Sequence, residues 1–213
     1  MRRVSPLAVP LFLCAVTTAF ASEIREFDIK TLERLGNELT KVSQTRDKGA
    51  TTPERKLARQ TAAAALKGKL FDIHYDYVVL DDPNRHNFLI YALGKAEGTD
   101  QVVMAGHFRV TVSLDGTKAE RVDALSKSLA RSGPITAETA ALFLIQLVSN
   151  KPAETLIYTS NLAKKPVYVR TPDGTTWVVN EGKMRVAQSK PTSSTSAPSN
   201  SQPSPVNSSV LLF

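Results

Sequence analysis

Asp72, His74 and Asp76 stand at i, i+2 and i+4 within an extended-looking run from Phe71 to Leu80, so all three project from one face of a strand. Two carboxylates around an imidazole could bind zinc or another divalent ion. They could also work as general acid and base in a pocket. His107, on a later strand, could join the same face. Two arguments weigh against this chemistry. Same-face neighbours on a strand are about 6.5 Å apart, which is long for one small ion. Catalysis also needs a cavity, whereas the alternation sets these residues opposite the dry face. The plain alternative is a solvated polar face with cross-strand pairing. No nucleophile elbow, phosphate-cradling glycine loop or HExxH occurs in the chain. Asp81-Asp82-Pro83-Asn84 lacks the spacing of a calcium loop and reads as a turn. The sequence therefore assigns no catalytic residue, no metal and no cofactor.

A second group could bind rather than react. Between Arg46 and Lys69 lie Arg46, Lys48, Arg55, Lys56, Arg59, Lys67 and Lys69, opposed only by Asp47 and Glu54. Lys67 and Lys69 suit a helix C-terminus. Arg55 and Lys56 sit near a helix N-terminus, where basic charge is unfavourable by about 0.3–1 kcal/mol each. A locally unfavourable placement points to a partner, and Arg55, Lys56 and Arg59 are the candidate binding residues. An acidic envelope protein or an anionic envelope polymer fits them. Nucleic acid does not, because the cluster lacks interleaved aromatic residues. The competing reading is a solvated helix face.

The elements that position these groups are legible from periodicity. Asp28 can cap a first helix, with Phe27 and Leu32 as a staple and Ile29, Leu32, Leu35, Leu39 and Val42 on one face. Thr52-Pro53-Glu54 starts a second helix that runs to about Lys69. Three antiparallel strands follow, over about 71–80, 86–97 and 101–114. In the third, Phe108, Val110 and Val112 form a dry face, and His107, Arg109 and Thr111 form a wet one. Asp115-Gly116 signals a hairpin into a fourth strand over about 117–122. After Ser132-Gly133-Pro134, an apolar run predicts a buried third helix over 137–148. Short strands are then expected over 155–160, 166–170, 175–179 and 183–186. The first of these is also readable as a helix, because Pro152-Ala153-Glu154 is a good helix start.

Both ends read as separable from the fold. The chain has 213 residues and a formal charge of +7. Residues 1–21 have the anatomy of a secretory signal peptide: Arg2 and Arg3, an apolar run from Leu7 to Val16, and Ala19-Phe20-Ala21 before Ser22. The apolar run is far short of the roughly 20 residues of a transmembrane anchor. Cys14 is the one cysteine, so a chain processed at Ser22 has no disulfide and no thiolate chemistry. Such a composition fits a periplasmic or secreted protein with an ordinary core. Residues 188–213 are rich in Ser, Thr, Pro and Asn and read as a disordered tail. Its apolar end, Val210-Leu211-Leu212-Phe213, suits capture by a PDZ-type groove.

The expected architecture is α+β. N-terminal helices pack on an antiparallel meander over 22–131, and a further helix with a smaller β meander follows over 132–187. A helix followed by a meander resembles cystatin-like and nuclear-transport-factor-like folds. Gly106-His107-Phe108-Arg109-Val110-Thr111-Val112 with Asp115-Gly116, and Lys165-Pro166-Val167-Tyr168-Val169 with Asp173-Gly174 and Trp177, resemble uncharacterised exported proteins of Gram-negative bacteria. The resemblance covers about 25–186 and implies no activity. The functional expectation is an exported, non-catalytic binding protein of the cell envelope. The alternative is a small nuclear-transport-factor-like enzyme with His74, Asp76 and His107 in a pocket.

Overall fold

The computed structural model describes residues 24–187. The leader read in 1–21 and the tail read in 188–213 lie outside them. The first helix, α1 (Ile29–Ser43), begins where expected, with the Asp28 carboxylate accepting from the Thr31 N–H at 3.0 Å. The second, α2 (Pro53–Ala65), is capped by the Thr52 hydroxyl and carries Pro53 in its first turn. The meander follows as β1 (Tyr75–Asp81), β2 (Asn87–Gly94), β3 (Val103–Ala105), β4 (Phe108–Ser113) and β5 (Ala119–Ala124). The order in the main sheet is β1-β2-β4-β5, antiparallel throughout.

The third predicted strand is two strands. Gly106 adopts φ +109°, a conformation that side chains resist, and breaks the run. The short β3 before the break leaves the main sheet and pairs with β6 (Ala130–Arg131).

The region after Ser132 departs further from expectation. Residues 137–148 do not form a helix; β7 (Leu142–Ile145) lies there instead. An apolar run without clear alternation fits a buried helix and a strand equally well, and pairing with a distant strand decided between them. The helix is α3 (Thr155–Ala163), where the sequence allowed either state. It ends in a left-handed Lys164. Then come β8 (Val167–Arg170), β9 (Thr176–Asn180) and β10 (Lys183–Val186), close to the expected bounds. The second sheet has the order β10-β9-β8-β7, with β7 parallel to β8 at one edge.

The main sheet is covered on both sides, so it has no wet face over its centre. One side packs on α2 through Phe88, Ile90, Phe108, Val110 and Val112, with Ala58 and Ala62 from the helix. The other side, bearing Val78, Leu80, Leu89, Tyr91 and Leu93, joins a core with α1, α3 and the second sheet. Arg109 and Thr111 pair in register with Tyr91 and Leu89 and are buried with them. The alternation in the sequence correctly assigned the two faces of β4. It did not reveal that a second layer covers the polar one.

Helices α1 and α3 meet with backbone-level closeness at Gly36. A Cβ there would lie 2.5 Å from the Glu154 carbonyl oxygen and 2.6 Å from the Ile157 Cβ. Only glycine permits that approach.

Candidate functional site: an open strand edge beside a groove

The polar residues singled out by the sequence do not converge. Asp72 and His74 precede β1 and are exposed, along a wide, shallow depression shared with Lys95 and Glu97. Asp76 forms ion pairs with Lys48 at 3.4 Å and Lys95 at 3.3 Å. His107 is buried, and both ring nitrogens are occupied. Nδ1 accepts from the Gly94 N–H at 3.0 Å, which leaves Nε2–H to donate to the Val103 carbonyl at 3.2 Å. Burial lowers its pKa to about 4, so the ring is neutral. The Tyr158 ring meets it edge-on at 6.3 Å. Burial, and next the charge of Asp76, raise the Tyr158 phenol to about 12. Among the described residues, no three His, Cys, Asp or Glu side chains are grouped to hold a metal ion.

The basic cluster is partly absorbed by the fold. Arg55 ion-pairs with Asp81 and donates to the Gly49 carbonyl at 3.1 Å. Its guanidinium also lies over the Phe88 ring, 5.2 Å from the centroid. These contacts explain a basic residue at a helix N-terminus: the guanidinium ties α2 to the end of β1. Arg59 reaches the Asp47 carbonyl at 3.5 Å, and Lys56 is exposed.

A third polar group was not singled out at all. Arg109 is 1 % exposed at its side chain and bridges Asp123 at 2.8 Å and Glu154 at 2.5 Å. It also donates to the Arg25 carbonyl, and the Tyr91 hydroxyl donates to Glu154 at 2.8 Å. Burial opposes the Arg109 charge, but Glu154, Tyr91 and Asp123 outweigh it and raise its pKa. Arg25 in turn clamps Asp82 through two bonds of 2.5 and 2.9 Å. Both Arg25 and Arg109 lie over the Phe27 ring, at 4.6 and 4.9 Å. Every charge of this network is matched, so it fastens residues 25–27 to the main sheet and α3. It offers no free acid, base or nucleophile.

One open sheet edge with bare apolar side chains lies at β7. Leu142 donates to the carbonyl of Pro166, just before β8, and Gln146, just after β7, donates to the carbonyl of Arg170. In a parallel pair, alternate residues face the neighbouring strand, so Phe143 and Ile145 turn their N–H and C=O groups to the outer edge. Among the described residues those groups have no backbone partner. Their side chains are unusually bare: Phe143 and Ile145 are each 38 % exposed, and Leu147 just beyond is 46 % exposed. Phe143 stacks on Tyr168 of β8 at 5.2 Å, which fixes the outer face. Gln146 holds the chain after β7 by donating to the Lys151 carbonyl at 2.5 Å and accepting from the Ala153 N–H at 2.9 Å.

A groove runs beside residues 144–147. Its far wall is the segment 125–130 between β5 and β6, and its floor includes Met104, Leu156 and Ala130. The enclosed part measures about 30 Å³, room for a small side chain or two waters. An open strand edge with bare apolar side chains suits an added strand.

Sequence reasoning missed this site because it placed 137–148 in a buried helix. Residues 142–145 are apolar throughout, so no face stands out in the sequence to mark a strand. The fold and the edge define an α+β protein with an uncapped mixed sheet. No protein-family model, no curated protein and no solved structure matches the chain. No described helix is long and apolar enough to cross a membrane.

Proposed function

We propose that this chain is an exported, non-catalytic binding protein of the cell envelope that accepts an extended polypeptide segment as an additional strand on β7. The observation that carries the reading is the unpaired backbone of Phe143 and Ile145 in an ordered strand. Exposed strand edges are usually blunted by charge, proline or cover, because they template pairing. Here the edge bears phenylalanine and isoleucine and is flanked by a groove instead. Export rests on the leader-like residues 1–21, and cleavage before Ser22 is checked by N-terminal sequencing of the protein from its envelope fraction.

A proline substitution tests the binding mode. Ile145→Pro removes an N–H that the fold does not use, so the protein stays folded, but an incoming strand loses a backbone donor. Binding of a labelled, extended alternating-valine peptide, followed by fluorescence anisotropy, should fall by about tenfold or more. Leu144→Pro removes an N–H directed at β8 and should destabilise the sheet itself. Undiminished peptide binding by a folded Ile145→Pro protein would remove the strand-addition reading.

A further inference from the structure

We infer that the outward face of the second sheet rests on an anionic lipid surface, with its β7–β8 half in the apolar boundary and its β9–β10 half at the headgroup phosphates. Strand addition uses the β7 backbone and this contact uses side chains, so neither depends on the other.

The register places the residues. Leu142, Val167, Val179 and Met184 form one row across the four strands and are buried in the core. Side chains alternate, so the next row, Phe143, Tyr168, Val178 and Arg185, faces away from that core. Ile145, Arg170 and Thr176 form a second outward row. None of these outward residues is buried.

The two halves of the face differ in chemistry. The β7–β8 half carries Phe143 stacked on Tyr168 at 5.2 Å, with Ile145 beside them in the next row. The β9–β10 half is cationic. Arg170 leans over β9, where it donates to the Thr176 hydroxyl at 3.0 Å, and Arg185 stands exposed on β10. Neither guanidinium forms an ion pair among the described residues. The two outward rows contain no acidic residue. From Lys164 to Ala187, five basic residues oppose only Asp173 and Glu181, both of which lie in turns.

A guanidinium fork matches the oxygens of a phosphate. A soluble polyanion would engage the arginines and leave Phe143 and Ile145 in water. An anionic lipid surface takes up both halves, because burial of apolar side chains and attraction to the headgroups act together there.

Sedimentation of the purified chain with phosphatidylglycerol-containing vesicles, and with vesicles of phosphatidylcholine alone, tests this. At low salt the anionic vesicles should be bound about tenfold tighter or more, and added salt should weaken that binding. Arg170→Glu/Arg185→Glu should lose about tenfold in affinity or more, with Arg170→Gln/Arg185→Gln as the milder pair should the reversal disturb folding. Phe143→Ser/Ile145→Ser should lose affinity as well, with thermal melts confirming that the protein is folded. The arginine variants should still bind the alternating-valine peptide at β7, and Ile145→Pro should keep most of the vesicle binding. Equal binding to both kinds of vesicle, or arginine variants that bind as the wild type does, would overturn the inference. Full binding by Phe143→Ser/Ile145→Ser, competed away by dextran sulfate, would assign the arginines to a soluble polyanion and overturn it too.

Discussion

Arg109 illustrates how a single residue can be readable as charged and unreadable as buried. It sits opposite Asp123 across the β4–β5 hairpin, and the two are symmetrically placed about Gly116. That pairing depends on a register shift between Thr111 and Val112, which the Asp115-Gly116 signal does not encode. Glu154 was not legible either, because it comes from a distant segment whose helix the sequence left open. Truncating Arg109 would strand two buried carboxylates, so Arg109→Ala should cost about 3–5 kcal/mol in urea unfolding. Arg109→Met combined with Asp123→Asn and Glu154→Gln should recover part of that loss, since no lone charge then remains. Equal stability of Arg109→Ala and the wild type would mean that water reaches this network.

His107 gives the second residue-level expectation. Its folded-state pKa, about 4, lies below the ordinary histidine value of 6.5. The unfolded chain therefore binds a proton at a higher pH than the folded one. Its contribution is fully present above pH 6.5 and declines as pH falls toward 4, by roughly 2–4 kcal/mol in total. Thermal melts of wild type and His107→Gln across that window check the sign. The wild type should lose stability more steeply as pH falls, and parallel slopes would show that His107 does not titrate on unfolding.

At the scale of elements, caps and turns were the most legible features. Asp28, Thr52-Pro53 and Asp115-Gly116 each act within a few residues, so their chemistry is written locally. The strand β7 was illegible for the opposite reason. Its state is set by parallel pairing with β8, more than twenty residues on, and no local propensity encodes that. The basic start of α2 is an intermediate case. The charge was read correctly, but the Asp81, Gly49 and Phe88 contacts that absorb Arg55 depend on the fold. Arg55→Glu should therefore lower the melting temperature, whereas Lys56→Glu should leave it nearly unchanged. Equal effects of the two would return Arg55 to the solvated face.

At the scale of the whole molecule, the larger of the two cores is shared by residues on both sides of Ser132. Leu35 and Leu39 of α1, Tyr91 and Leu93 of β2, Ile157 of α3 and Val169 of β8 belong to it. The layers depend on the α1–α3 approach at Gly36. Gly36→Ala would drive a methyl group into the Glu154 carbonyl and should cost about 1–3 kcal/mol, as overpacking does. Because Glu154 also holds Arg109, the displacement should loosen the buried network at the same time. Unaltered stability would mean that α3 slides without cost.

The proposed function rests on the outward backbone groups of Phe143 and Ile145 at the β7 edge. The direct test is residue-resolved amide exchange with and without the alternating-valine peptide. The Phe143 and Ile145 amides should exchange freely alone and become protected on binding, while Leu142 and Leu144, already bonded toward β8, change little. Peptide binding that leaves Phe143 and Ile145 exchanging as before would contradict strand addition.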